Sequence, residues 1–199
     1  MTLFLSSSRP AIDLELQGRD VSLRAPAVGD YSAWAELRAL SRSELEPFEP
    51  SWTKDELSRA AFRHRLKHYN REIAQDAGYA FFAFDGAGEH LFGAITISNV
   101  RRGVAQAASV GYWMGTPHSG QGLMTNALRL LAPFAFRTLH LHRLEAGCVP
   151  ANLASVRVLE KSGFIREGTA RKYLRINGVW QDHQLFARLS DDAATEAQT

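Results

Sequence analysis

Between Ser109 and Leu128 the chain reads SVGYWMGTPHSGQGLMTNAL, an apolar strand-like run that enters a glycine-bearing turn and leaves it as a helix. That connection commits the chain to a mixed α and β fold, with the turn at a strand end. Gly120 and Gly122 bracket Gln121 where the backbone must pass close to a ligand, which glycine permits because it has no Cβ and tolerates positive φ. Leu123, Ala127, Leu130, Leu131 and Phe134 recur at helical spacing, so a helix starts near Leu123. Its unpaired first amides and positive dipole end suit an anion such as a pyrophosphate. A bare tight turn at a helix entry fits the same residues, and the spacing leaves both open. It does exclude two nucleotide motifs. The Walker pattern G-x-x-x-x-G-K-[ST] is absent, and a dinucleotide fingerprint needs a glycine three positions after Gly122, where this chain has Thr125.

The remaining pattern is mixed. Ile12, Leu14 and Leu16 alternate before Gln17-Gly18-Arg19-Asp20, and Val21 and Leu23 alternate after it, which predicts a hairpin. Ala33, Leu37 and Leu40 suit a first helix. The runs 79–84 and 91–97, separated by Asp85-Gly86-Ala87-Gly88, predict a second hairpin at the sheet centre. A strand over 143–149 follows, and Asn177-Gly178 makes a further turn between 173–176 and 179–189. Thr53 and Glu56 have capping-box spacing before a helix whose apolar side is Leu57, Leu66, Tyr69 and Ile73. On the same helix Arg59, Arg63, Arg65, Lys67 and Arg71 crowd with His64 and His68. Such a run is ordinarily a solvated face; the functional alternative is that it steers an acidic partner or ribosomal RNA.

At 199 residues and 45% hydrophobic the chain can bury one sizeable core, so residues 1–189 are expected to form a single domain and 190–199 a disordered tail. No apolar run approaches the ~18 residues of a membrane span, and Leu3-Phe4-Leu5 is too short for a secretory signal; a cytoplasmic protein is expected. Cys148 is the only cysteine, which excludes an intrachain disulfide and a cysteine-cluster metal site.

Ser119-Gly120-Gln121-Gly122-Leu123-Met124, between a strand and a helix, looks like motif A of the GNAT acetyltransferases, Q/R-x-x-G-x-G/A. Ser119 stands where Gln or Arg is usual and Met124 where Gly or Ala is commoner, the latter a bulkier lid on the helix entry. Asn152-Leu153-Ala154-Ser155 and then Leu159-Glu160-Lys161-Ser162-Gly163-Phe164 resemble the family's N-x-x-S helix and closing L-x-x-x-G-F. Pro47-Phe48-Glu49-Pro50, Ser98-Asn99-Val100, Asn177-Gly178 and Trp180-Gln181-Asp182-His183 resemble the RimJ type, which acetylates ribosomal-protein N-termini. The likeness runs from about Val21 to Leu189.

The resemblance implies a central, mostly antiparallel twisted sheet flanked by helices, in which the strands ending at Met114 and Val149 lie parallel and splay apart. Acetyl-CoA as co-substrate, with no metal, is expected in that gap. Its pantetheine arm would pair with the backbone of Trp113, Met114 and Gly115, and its pyrophosphate would meet the amides of Ser119, Gly120, Gln121, Gly122, Leu123 and Met124. The Met114 N–H is then placed to stabilise an oxyanion, and Ser155 to give its proton to the departing thiolate. Asn152 is either a cofactor contact or simply a helix N-cap.

An α-amino group is already ~10–15% neutral at pH 7, so an N-terminal acceptor asks little of a base. Glu49, between Pro47 and Pro50, is the candidate, acting through a water or binding the acceptor's positive end; Tyr173 and His183 are weaker candidates. Cys148 needs no catalytic role, and Trp52 and Trp113 read as core or groove walls. An aromatic pocket at Phe48 and Tyr173 predicts a small first acceptor residue. The expected activity is acetylation of a ribosomal protein beginning with Ala or Ser by a monomer or homodimer. The alternatives are acetylation of a small amine or antibiotic, and a non-enzymatic acyl-CoA-binding ribosome-associated factor.

Overall fold

The structure, a computed structural model, describes residues 14–192. β1 (Glu15–Gln17) and β2 (Val21–Arg24) form the expected first hairpin, with Leu16 opposite Leu23. Ile12 lies outside the described residues. After α1 (Tyr31–Leu40), α2 (Arg42–Leu45) and α3 (Arg59–Ala74) come β3 (Tyr79–Asp85), β4 (Leu91–Arg101) and β5 (Ala107–Met114). The chain then runs through α4 (Leu123–Pro133), β6 (Arg143–Cys148), α5 (Leu153–Lys161), β7 (Ile165–Ile176) and β8 (Val179–Leu189). The eight strands form one sheet in the order β1-β2-β3-β4-β5-β6-β8-β7. Every adjacent pair is antiparallel except β5 and β6.

β3 is apolar almost throughout because helices cover both faces of the sheet. Its alternate residues enter opposite cores, as the two-residue period of a strand requires. Phe81 joins Ile95, Val110, Met124, Leu128 and Leu131 under α4. Phe82 and Phe84 join Trp34, Leu37, Phe62 and Leu66 under α1 and α3. Two local expectations change. α1 buries Trp34, Leu37 and Arg38, whereas Leu40 is exposed, because the side facing the sheet runs one position away from the one that the apolar spacing suggests. α3 is capped by Ser58, whose hydroxyl accepts from the Ala61 N–H at 3.1 Å, while Thr53 lies outside the helix and bonds Asp55.

β7 begins at Ile165, eight residues before the expected strand, and Asn177-Gly178 turns it into β8. Of the expected tail, residues 190–192 are tied back by Ser190 N–H to the His142 carbonyl and Leu189 N–H to Asp192. Residues 193–199 lie outside the described ones.

Candidate active site

β5 and β6 are in register over three pairs, Ala107 with Arg143, Ala108 with Leu144 and Ser109 with Glu145. Beyond Ser109 they part, because β5 stays on β4 as far as Met114 while β6 follows β8 as far as Cys148. The gap is a cleft of about 710 Å³. The Gly115 N–H donates to the Phe92 carbonyl at 2.8 Å. Since Gly93 lies opposite Met114, alternation of bonded and non-bonded pairs turns the backbone groups of Tyr112 and Met114 away from β4 and into the cleft. The expected free edge over Trp113–Gly115 is therefore corrected: Met114 and Tyr112 are free, and Trp113 and Gly115 serve β4. Gly115 is needed for a second reason. A Cβ there would sit 2.3 Å from Leu37 Cδ1, so any larger residue would have to push the Leu37 side chain aside where α1 closes on the strand end.

At the far end of β5 the glycine turn supplies donors. Gly120 and Gly122 both have φ +77°, and a Cβ on either would meet open space. Gly122 is the N-cap of α4, with no side-chain cap. The amides from Gly120 to Thr125 donate to no acceptor among the described residues. Ser119, Gly120, Gly122 and Thr125 line the cleft. Gln121 does not; its side chain turns back to the Pro117 carbonyl at 3.3 Å. Leu123 packs on the core instead. Met124 is 2% exposed, packs towards Gly93 and also lines the cleft. Arg157 and Lys161, one turn apart on α5, line the same cleft and bring cations that the motifs did not single out. Their four-residue spacing from each other, on the helix that Asn152 opens, was the available signal.

Between these ends three polar side chains converge. Asn152 caps α5, its Oδ1 accepting from the Ser155 N–H at 3.0 Å, so the capping role is real and only its amide nitrogen remains for a ligand. The Ser155 hydroxyl lies 2.8 Å from the Tyr112 hydroxyl, and Tyr112 also donates to the Ser155 carbonyl at 3.2 Å. Tyr112 thus joins β5 to α5 across the splay, a residue that sequence reasoning missed. Burial pushes the Tyr112 phenol well above its ordinary range, against the opposing hydrogen bond from Ser155. Burial likewise pushes the Cys148 thiol up, again opposed by Ser155.

At the other mouth Glu49 is not a loose loop carboxylate. Its two oxygens take a fork from Arg38 at 2.7 Å each, and Oε2 also accepts from Trp52 Nε1 at 2.8 Å. The Asn177 N–H donates to the Glu49 carbonyl at 3.0 Å, tying the loop to the β7–β8 turn. Leu174, Ile176 and His183 face Phe48 and Glu49 across the cleft. His183 is buried, with its ring against Tyr173 at 5.7 Å. The expected closed aromatic pocket is absent: Phe48 is 37% and Tyr173 50% exposed, so the mouth is open.

The model of the acetyltransferase (GNAT) domain matches residues 20–165. The chain belongs to the GNAT acetyltransferases. The chain is 39% identical to a probable N-acetyltransferase, YjcK, of Bacillus subtilis over 177 residues, covering 89% of this chain and 98% of that protein. It is 35% identical over 167 residues to the [ribosomal protein uS5]-alanine N-acetyltransferase of Escherichia coli, covering 83% and 86%. Among solved structures, Mycobacterium smegmatis RimJ in complex with CoA-disulfide superposes with a TM-score of 0.82 at 28% identity, covering 92% of this chain and 93% of that one. These relatives place this GNAT acetyltransferase in the RimJ type.

This acetyltransferase uses acetyl-CoA as co-substrate, and the cleft is the candidate to hold it. Its own groups fit such a ligand: an unpaired strand edge, a row of open amides and two cations along one groove. No helix among the described residues is long and apolar enough to cross a membrane. Away from the cleft, α3 shows Arg59, Arg63, Lys67 and Arg71 as exposed cations four residues apart. Arg63 and Lys67 make no ion pair among the described residues, whereas Arg65 pairs with Glu56.

Proposed function

We propose that this GNAT enzyme transfers acetyl from acetyl-CoA to the α-amino group of a ribosomal protein beginning with Ala or Ser, by direct attack in a ternary complex in the cytoplasm. The observation that carries the reading is the inward-facing edge at Tyr112 and Met114, with open amides beyond one end and the Glu49 mouth at the other. Phosphates meet the amides of Gly120–Thr125, helped by Arg157 and Lys161. The thioester carbonyl lies at the Met114 N–H, a kind of donor whose removal typically costs ~10²–10³ in rate.

The neutral amine attacks that carbonyl carbon, the C–S bond breaks, and the Ser155 hydroxyl donates a hydrogen bond to the leaving thiolate, which departs as the anion or takes a proton from solvent. The attacking nitrogen loses its proton to a water held at Glu49. Arg38 and Trp52 occupy three of the roughly four acceptor positions of that carboxylate. The fourth serves the water or the incoming ammonium, which suffices for an amine that is partly neutral at pH 7. The open mouth at Phe48 and Tyr173 favours an acceptor that continues outward as a polypeptide over a small amine. The α3 cations add a weak ribosomal RNA contact.

The test is release of free CoA with peptides beginning Ala or Ser, with the same peptides N-terminally blocked but carrying lysine, and with spermidine. Turnover confined to the free termini is expected; turnover confined to spermidine or to lysine overturns the acceptor assignment.

A further inference from the structure

Arg38 is only 5% exposed, although it carries a full charge on a helix whose neighbouring buried residues are apolar. Its guanidinium lies over the Trp52 ring at 4.3 Å and the Trp113 ring at 5.0 Å, while its two terminal nitrogens fork Glu49. Trp113 belongs to β5, the strand that edges the cleft, and Trp52 to the loop at its mouth. Arg42 stacks on the other flank of this arrangement, 5.3 Å from the Trp52 ring, and pairs with Glu46. Beneath them Ser41 accepts from the Thr116 N–H at 2.9 Å and donates to the Leu37 carbonyl at 2.7 Å, locking α1 to the end of β5.

Stability does not account for this charge. A buried ion pair is often replaceable by apolar side chains at no loss, because desolvation offsets its attraction. Here the cost is visible: Arg38 Nε is buried with no hydrogen-bond partner, and such orphaned donors are rare in native proteins. What the arrangement does supply is direction. A guanidinium presents a rigid planar fork, so it fixes the plane of a carboxylate in a way that a lysine ammonium cannot.

We infer that Arg38 is a positioning residue for the acceptor: clamped between the two tryptophans, it holds the Glu49 carboxylate at the cleft mouth in register with the cofactor strand. This rests on the acceptor reading above. It goes further by assigning acceptor recognition to a side chain of α1 that need not touch the acceptor.

The experiment measures the acceptor KM, kcat, acetyl-CoA Kd and Tm for Arg38→Lys and Trp52→Phe beside the unaltered enzyme. Trp52→Phe keeps a ring for stacking and removes one of the three donors, so it reports on Glu49 even where Arg38→Lys folds poorly. For Arg38→Lys the acceptor KM is expected to rise about tenfold or more, as for loss of one charge-assisted contact. The rise should be smaller for Trp52→Phe, and the acetyl-CoA Kd should stay within about twofold in both. Millimolar guanidinium should restore part of the acceptor KM in Arg38→Ala. An acceptor KM unchanged in both variants, or a KM and acetyl-CoA Kd that worsen together with Tm and resist guanidinium, overturns the inference. Failure of the acceptor reading is distinct: the unaltered enzyme would then not turn over free Ala or Ser termini at all, and the KM comparison would be repeated with spermidine.

Discussion

Substitution at Gly122 separates two effects that are usually confounded. The residue has φ +77° and open space where a Cβ would go, so Gly122→Ala meets no clash and suffers only the conformational penalty of a left-handed backbone. That penalty is about 1–2 kcal/mol for an ordinary L-residue. In a chain of this size each kcal/mol moves the melting temperature by about 2–4 °C, so a fall of about 2–8 °C is expected. Asn tolerates the left-handed region far better, so Gly122→Asn should recover most of that loss. Both variants, however, put side-chain atoms beside the open amides of the turn. Displacing one hydrogen bond to a charged acceptor costs about 1.5–3 kcal/mol, which is about 10- to 150-fold in acetyl-CoA affinity. Calorimetric titration with acetyl-CoA, beside thermal melts, reads both effects. A Gly122→Asn enzyme that melts near the unaltered protein yet binds acetyl-CoA equally tightly would refute the assignment of the phosphates to this turn.

Three further outcomes follow from described contacts. Tyr112→Phe removes both hydrogen bonds to Ser155 and should lower kcat about five- to thirtyfold at about 1 kcal/mol per bond, with acetyl-CoA affinity little changed; a normal kcat in CoA-release assays means that Ser155 needs no such holder. Cys148 and Tyr112 both have proton affinities raised by folding. Their contribution to stability is complete below their unfolded values, about 8.5 and 10, and is lost as pH rises through the higher folded ones. Unfolding free energies from denaturant melts should therefore fall above about pH 8.5, by up to about 1.4 kcal/mol per pH unit per group, and Cys148→Ala should remove the earlier part of the fall. For α3, single-stranded ribosomal RNA held by four cations should show log K falling against log salt with a slope near about −3. Arg63→Glu with Arg71→Glu should flatten it and slow acetylation of ribosome-associated substrate, and unchanged values for both would leave α3 a solvated face.

What the sequence discloses is what short-range chemistry writes into it. Gly120 and Gly122 announce their own backbone, Asn177-Gly178 its turn, and Asn152 its cap, because each acts within a few residues of itself. The placement of the cleft between β5 and β6 is not local; it came from a family likeness and was confirmed by the register of three pairs. Residues that work through distant partners stayed hidden. Tyr112 meets Ser155 only because strand alternation puts its side chain on the face that α4 and α5 cover, and that of Trp113 on the opposite face. Arg38 reads as a solvated helical arginine until the loop at Glu49 folds over it. Gly115 gives no sign from composition that Leu37 lies against it, and Ser58 displaced Thr53 as a cap because the chain enters α3 five residues later than the motif suggests.

The seam between β5 and β6 carries a mechanical consequence. Eight strands share one sheet among the described residues, but the five before the crossover and the three after it are stitched together by a parallel ladder of only three pairs. The sheet is therefore as thinly paired at this seam as at its β1 edge, where β1 and β2 also share three pairs, while the ladders immediately on either side of the seam are longer. A ligand lying along that seam does more than occupy a site. On the proposed function, a co-substrate paired with the free backbone of Tyr112 and Met114 would add a strand at that seam, so that the substrate would complete the sheet that acts on it.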